Sequence, residues 1–323
     1  MSTEPTSAAA ERLRQLKLPL SSSINYKLDS VFPVLTGWFI NGQIKKKHKL
    51  IQQAESTLEE ILRPGEEVLY VAKGVQFSFW EQYFLGIWAN LINQTVFVLT
   101  NARLLLLHTN TRGKPKDMYW MIYYSQVMQF KTSWFNGALV VKLKDGKSFK
   151  YAGFTGTDKK EMPKVFQAAA ARYQDRGFDP PVSRSRENLC YHCYAVVPKD
   201  QHICPRCGAE YWKPREIAMR SLVFPSWGDF LMRHYVVATM ELIGYIISWV
   251  FVGTDLGAAL AGGDPESLVI AFLLLGGFLV FTHIPDAILT YYIASKGLNR
   301  RYPPDESKIH GDDVIDDLEE VDA

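Results

Sequence analysis

Between residues 66 and 154 apolar and polar positions alternate with period two, and on either side the period lengthens to that of a helix. Residues 66–75, 95–100 and 103–110 read as strands, with Asn101 marking a turn. Residues 117–134, rich in Tyr, Trp, Met and Ile, hold one long strand or two short ones. Residues 138–154 form the clearest hairpin, because Asp145-Gly146 between alternating flanks suits a type I′ turn. After Gly156 the pattern turns helical, with Asp158 as N-cap and an apolar stripe of Val165, Phe166, Ala169 and Tyr173. The pattern predicts six or seven strands in a small, partly open β-barrel with a C-terminal helix plugging one end.

Ahead of this region, residues 24–65 open on a short apolar run at 31–40, too short to span a bilayer. A basic cluster follows (Lys45, Lys46, Lys47, His48, Lys49), then Leu50, Ile51, Ala54, Leu58, Ile61 and Leu62 at helical spacing, ended by Pro64-Gly65. Two readings stand. Trp38 and Phe39 dip into headgroups while the lysines meet anionic lipid, or the cluster is a solvated helix end on a soluble domain. Residues 1–23 carry no apolar signal-peptide core and read as a disordered or loosely helical start.

Residues 76–94 interrupt the alternation with Phe77, Phe79, Trp80, Tyr83, Phe84, Ile87, Trp88, Leu91 and Ile92. Read as a helix, Trp80, Phe84, Ile87, Trp88 and Leu91 share one face. That face packs on the barrel, or it lies on a bilayer or a partner, where Trp and Tyr are favoured.

Past residue 224 the chain changes character. Two long apolar runs, 235–252 and 268–294, are each long enough to span. Residues 254–267 between them hold no Lys or Arg, whereas Lys213, Arg215, Arg220 and Arg233 precede them and Lys296, Arg300 and Arg301 follow. By the positive-inside rule both ends of a helical hairpin face the cytoplasm, which predicts a multi-pass protein of the inner cell membrane. A buried hairpin in a soluble core is the alternative. Glu241, His283 and Asp286 lie inside the spans, where a charge costs about 2.5–3.5 kcal/mol unless paired or wetted. With a turn near residue 260, Glu241 falls level with residues 279–280. A Glu241–His283 hydrogen bond then clamps the helices, or the three groups reach interfacial water, or they join an ion or proton path in a homo-oligomer.

All four cysteines lie within residues 190–207 as two Cys-x-x-Cys pairs, Cys190/Cys193 and Cys204/Cys207. Four thiolates so spaced close a tetrahedral shell around Zn²⁺, and a shell filled by protein sulfur is structural, since a catalytic zinc keeps a position open for water. Two disulfides are the alternative, but with no secretory signal nothing points to an oxidising compartment. His192 and His202 are the residues that could replace one sulfur. Pro205 and Gly208 support the second turn, and Tyr194 stands where the first pair lacks a trailing glycine.

Residues 190–214 resemble a zinc ribbon of the rubredoxin-knuckle kind, most specifically at Cys204-Pro205-Arg206-Cys207-Gly208. The strand order of residues 66–175, with Leu99-Thr100-Asn101-Ala102-Arg103-Leu104-Leu105, resembles the bacterial pleckstrin-homology-like (PH-like) domains. Some eukaryotic relatives bind phosphoinositides through Lys and Arg of the first inter-strand loop. Here that loop, 76–94, has neither, so the property is not carried over. Phe224-Pro225-Ser226-Trp227-Gly228-Asp229-Phe230 resembles the Pro-Gly-x-Gly-x-Phe turn opening a prokaryotic two-helix membrane domain, as does Asp286-Ala287. Ser226 stands for its first glycine and Arg233 for a later one. This resemblance implies an anchor, not a chemistry.

The architecture expected is therefore α+β. Residues 24–65 form a basic helical segment, 66–175 the PH-like domain, 176–189 a Pro-stiffened linker, 190–214 the ribbon and 224–296 the transmembrane hairpin. Residues 297–323 form a cytoplasmic tail whose acidic end, 311–323, either solvates or docks on a basic groove. The formal net charge of +2 excludes nucleic-acid binding by bulk charge, and the ribbon holds only Lys199 and Arg206 between its outer cysteines. No Gly-x-Ser-x-Gly, phosphate-binding glycine loop or His-Glu-x-x-His occurs. The sequence thus predicts a non-enzymatic scaffold that positions a protein partner at the lipid bilayer. The alternative is an oligomeric ion pathway through Glu241, His283 and Asp286.

Overall fold

A computed structural model describes residues 7–133, 137–175 and 185–302. The chain divides into two compact units, Met1–Arg206 and Cys207–Ala323.

The first unit is a mixed α+β body around one open, largely antiparallel sheet. Its strands are β1 (Asn25–Tyr26), β2 (Glu67–Phe77), β3 (Gln94–Thr100), β4 (Arg103–Thr109), β5 (Pro115–Tyr123), β6 (Val127–Thr132), β7 (Leu139–Leu143), β8 (Ser148–Ala152), β9 (Glu187–Leu189) and β10 (Val196–Val197). They pair in the order β10-β9-β5-β4-β3-β2-β8-β7-β6, with β1 parallel to the start of β2. Its helices are α1 (Ala8–Gln15), α2 (Leu28–Val31), α3 (Ile40–Ile61), α4 (Phe79–Leu85), α5 (Trp88–Ile92) and α6 (Gly156–Asp175).

The central strands β3 and β4 are buried on both faces, with Phe97 and Leu104 as well as Val98 and Leu105 inaccessible, and Tyr151 of β8 joins this core. Helix α6 lays Met162, Phe166, Ala169 and Tyr173 on this core, with Phe166 stacked on Phe130 at 4.0 Å. Its cap is Thr155 rather than Asp158: the Thr155 hydroxyl accepts from the Asp158 amide at 3.1 Å. Asp158 sits inside the first turn, free to pair elsewhere. The β7–β8 connection also departs from the expected turn. Only Gly146 takes a positive φ, of 83°, and its amide donates to Leu143 O. A type I turn followed by a left-handed glycine therefore replaces type I′, which needs both central residues left-handed.

Of the two N-terminal expectations, residues 8–15 follow the helical one and form α1, packed rather than loose. Ser7 caps it, Ala9 and Leu13 are buried, and the Ala9 amide donates to Asp29. Residues further on are tied to α3, through His48 to Pro19 O and through Ser21 and Ser23 to Glu59. The linker expectation, 176–189, lies outside the described residues up to 184. Residues 187–189 are strand β9, which pairs with β5 and leads into the first cysteine pair.

The second unit holds β11 (Glu210–Trp212), α7 (Pro214–Val223), α8 (Trp227–Leu231), α9 (Tyr235–Gly262), α10 (Pro265–Ala294) and β12 (Asn299–Tyr302). Helices α9 and α10 are long and apolar enough to cross a membrane, and only 11% and 6% of their most apolar windows are buried. That exposure is unlike the covered helices of a soluble core hairpin. Strand β12, after the hairpin, pairs with β11, before it, so the two ends of the hairpin are held together. Arg220 and Arg301 stack on Trp212 at 4.5 and 4.4 Å and reinforce that closure. The acidic stretch 311–323 lies outside the described residues.

Candidate functional site

The four cysteine sulfurs lie within 4.8 Å of one another, and Cys190, Cys204 and Cys207 are buried. No disulfide joins any two of them; Cys193 Sγ and Cys204 Sγ stand 3.5 Å apart, far outside a disulfide bond. Zn–S bonds of about 2.3 Å in a tetrahedron put sulfurs roughly 3.8 Å apart, so this set fits the metal. The backbone is shaped for it. Gly208 has φ 70°, and Tyr194, in the equivalent place after the first pair, has φ 56°. A tyrosine bears the cost of the left-handed region because its side chain is anchored. Its hydroxyl donates to Glu60 at 2.7 Å, and its ring packs 5.7 Å from Tyr119. The His192 amide donates to Cys190 Sγ at 3.4 Å, a hydrogen bond of the kind that steadies a thiolate. Neither His192 nor His202 joins the ligand group among the described residues.

In the hairpin of α9 and α10 the expected Glu241–His283 hydrogen bond is replaced. His283 Nε2 meets the Tyr245 hydroxyl at 3.0 Å and Nδ1 meets Leu222 O at 2.8 Å, so both ring nitrogens are engaged. Glu241 instead joins Asp286 and Asp229, each with a carboxylate oxygen within 4.8 Å of the others. The reason is the turn, which falls at Gly263-Asp264 rather than near 260. Each residue of shift in a hairpin turn moves the opposing residue by two. Asp229 was not singled out because it precedes the apolar run. It sits in short helix α8, where Asp229 Oδ1 meets His234 Nδ1 at 3.0 Å. Asp286 accepts from the Ser226 amide at 3.1 Å, which ties the entry turn to α10. Ser226 and Arg233 both adopt left-handed backbone, at φ 68° and 61°.

The aromatic stretch 76–94 is two short helices broken at Gly86, not one. Phe79, Trp80, Tyr83, Phe84 and Ile87 are all exposed, and Trp80, Phe84 and Tyr83 stack on one another's edges and faces. Trp88 is half-buried, and Ala89 and Ile92 cover the sheet. Among the basic residues Lys45 and Lys46 are exposed, but Lys47 turns inward. Its ammonium lies 3.4 Å from Asp158 and 3.6 Å over the Tyr70 ring. Trp38 and Phe39 are 91% and 81% exposed, so nothing in the first unit covers them.

Arg103, in the Leu99–Leu105 run, plays a structural part. It is buried against Glu66 through two hydrogen bonds, Nε to Oε1 at 3.1 Å and Nη2 to Oε2 at 3.0 Å. Nη2 also donates to Ile61 O at 2.8 Å, which fastens the end of α3 to β4.

No protein-family profile and no curated protein matches the chain. Among solved structures, the C-terminal domain of an unknown protein from Leishmania infantum is 12% identical, with a TM-score of 0.26 over 41% of this chain and 98% of that one. The linker-DH/PH domains of p115-RhoGEF are 10% identical, with a TM-score of 0.27 over 44% of this chain and 43% of that one. An N-terminally truncated form of the same protein gives 9% identity, a TM-score of 0.26, and coverage of 44% of each chain. This chain thus spans under half the length of both p115-RhoGEF chains, and likenesses of this strength carry no inference about activity.

Proposed function

We propose that this protein is a membrane-anchored, non-enzymatic adaptor that positions a protein partner at the cytoplasmic face of the cell membrane. The observation that carries the reading is the exposed aromatic face of α4, continued by Ile87 just before α5. Five large side chains (Phe79, Trp80, Tyr83, Phe84 and Ile87) sit in solvent, and such clusters mark interaction sites. Helices α9 and α10 supply the anchor, and the basic residues flanking them favour a cytoplasmic location for both ends. Zinc held by Cys190, Cys193, Cys204 and Cys207 is structural in this reading and stabilises the segment between sheet and anchor. The test is affinity purification of the full-length chain from solubilised membranes beside the W80E/F84E variant. Loss of stoichiometric co-purifying proteins from the variant, with its sheet intact by circular dichroism, supports the reading; an unchanged set refutes it.

The grouping of Asp229, Glu241 and Asp286 favours a second reading, an oligomeric ion or proton pathway. Glu241 Oε2 is buried without a hydrogen-bond partner. Ion flux in liposomes that Glu241→Gln abolishes would establish it, and no flux would remove it.

A further inference from the structure

A cavity of about 830 Å³ opens between α3, β2 and the start of α6, away from both the cysteine cluster and the aromatic face of α4. Lys46, Lys47, Lys49, Lys73 and Arg112 all line it, against one carboxylate, Asp158. That carboxylate is already engaged by Lys47, by the Tyr70 hydroxyl at 2.9 Å and by the Thr155 hydroxyl at 2.7 Å. The walls therefore present five cationic side chains against one carboxylate, a surplus of positive charge. Phe32, Val34, Ile44 and Val75 give the same cavity an apolar side. Gly156 and Thr157 also line it, and as first-turn residues of a 20-residue helix their amides have no intrahelical acceptor.

We propose that this cavity binds the phosphate-bearing headgroup of an anionic membrane lipid. A single monoanion would not need four or five cations and an apolar wall together, whereas a glycerophosphate headgroup with the start of its acyl chains presents both chemistries. The flank fits this occupant. Trp38 and Phe39 stand fully in solvent immediately before Ile40, which itself lines the cavity. Exposed Trp and Phe beside a basic cavity are the pattern of an interfacial contact. Burial pulls Lys47 down to about 8, only partly offset by Asp158, and it also lowers Lys73. Both ammonium groups are held in a partly desolvated setting that a phosphate would relieve.

This proposal stands apart from the adaptor reading, because it uses neither α4 nor α5. It differs from phosphoinositide capture by the loop at 76–94, which has no Lys or Arg. The test is a lysine footprint on the full-length chain in nanodiscs, with methylation rates at Lys47 and Lys73 read by mass spectrometry. Discs containing phosphatidylglycerol should slow both sites about tenfold relative to pure phosphatidylcholine discs when the site is occupied ten times over its dissociation constant. The exposed double variant K46E/R112E, whose side chains lie at the mouth, should lose most of that protection. Equal rates in the two kinds of disc overturn the proposal, and so does undiminished protection in K46E/R112E. Soluble glycerol 3-phosphate protecting as well as the lipid would make the ligand a free phosphate ester. Stronger protection by an acidic peptide would make it a protein segment. Either result also overturns the lipid assignment.

Discussion

Arg103→Ala should strongly destabilise the first unit, and the geometry says why. Arg103 is 2% and Glu66 6% exposed, and the guanidinium meets the carboxylate through two parallel hydrogen bonds. Cutting Arg103 to alanine leaves Glu66 charged, buried and short of its partner, at a cost of about 3–5 kcal/mol. Glu66 would retain the Thr100 hydroxyl at 2.6 Å and the Arg63 amide at 3.0 Å, which limits the loss to the lower part of that range. Ile61 O would also lose its donor, adding about 1 kcal/mol. The pH dependence carries the same signature. Burial alone would push the Glu66 carboxyl up, but the Arg103 hydrogen bond and charge, the Arg63 amide and the Thr100 hydroxyl outweigh it and hold it low. A lowered carboxyl contributes stability that is complete above its unfolded value of about 4.3 and is lost as pH falls through the lowered value. Wild type should therefore lose stability steeply in that acid range, and Glu66→Gln should flatten the limb. The assay is urea unfolding of the full-length chain in detergent, followed by pulse proteolysis at sites within residues 66–175, from pH 3 to 8. An Arg103→Ala change under about 1 kcal/mol would refute the argument that this pair holds the sheet to α3.

Metal analysis of the purified chain should find one zinc per molecule; Cys204→Ser should lower it to near zero and make β9 and β10 protease-sensitive, because β9 is hydrogen-bonded into the main sheet. Gly228→Ala should destabilise the hairpin entry by about 2–4 kcal/mol, read as loss of full-length protein resistant to detergent denaturation. A Cβ there would sit 2.5 Å from Ser221 Oγ, which the Gly228 amide already uses at 3.0 Å, and would press on Thr290. Thiol labelling in sealed vesicles should place a cysteine introduced at Gly263 on the opposite side from one introduced at Gly297, since α9 and α10 return the chain to β12.

Residues 66–154 show their strands in the sequence because the period of two is a local property of which side chains must be apolar. The cysteine ligands are legible for a similar reason, since two close pairs need only short turns to converge. The two long apolar helices were legible from length and apolarity alone. What the sequence could not settle were quantities set by partners distant in the chain. Pairing of β9 with β5 draws the first cysteine knuckle into the sheet, where the sequence suggests a separate module after a linker. The hairpin's turn position, fixed by Gly263 in the left-handed region, chose Asp286 over His283 as the neighbour of Glu241. Lys47 reads as one more surface lysine, yet α3 packs so that it meets Asp158 and Tyr70 across 111 and 23 residues of chain. Patterning fixes which face of an element is buried; only packing decides which buried or half-buried charges end up facing one another, because that depends on register and helix rotation rather than on composition.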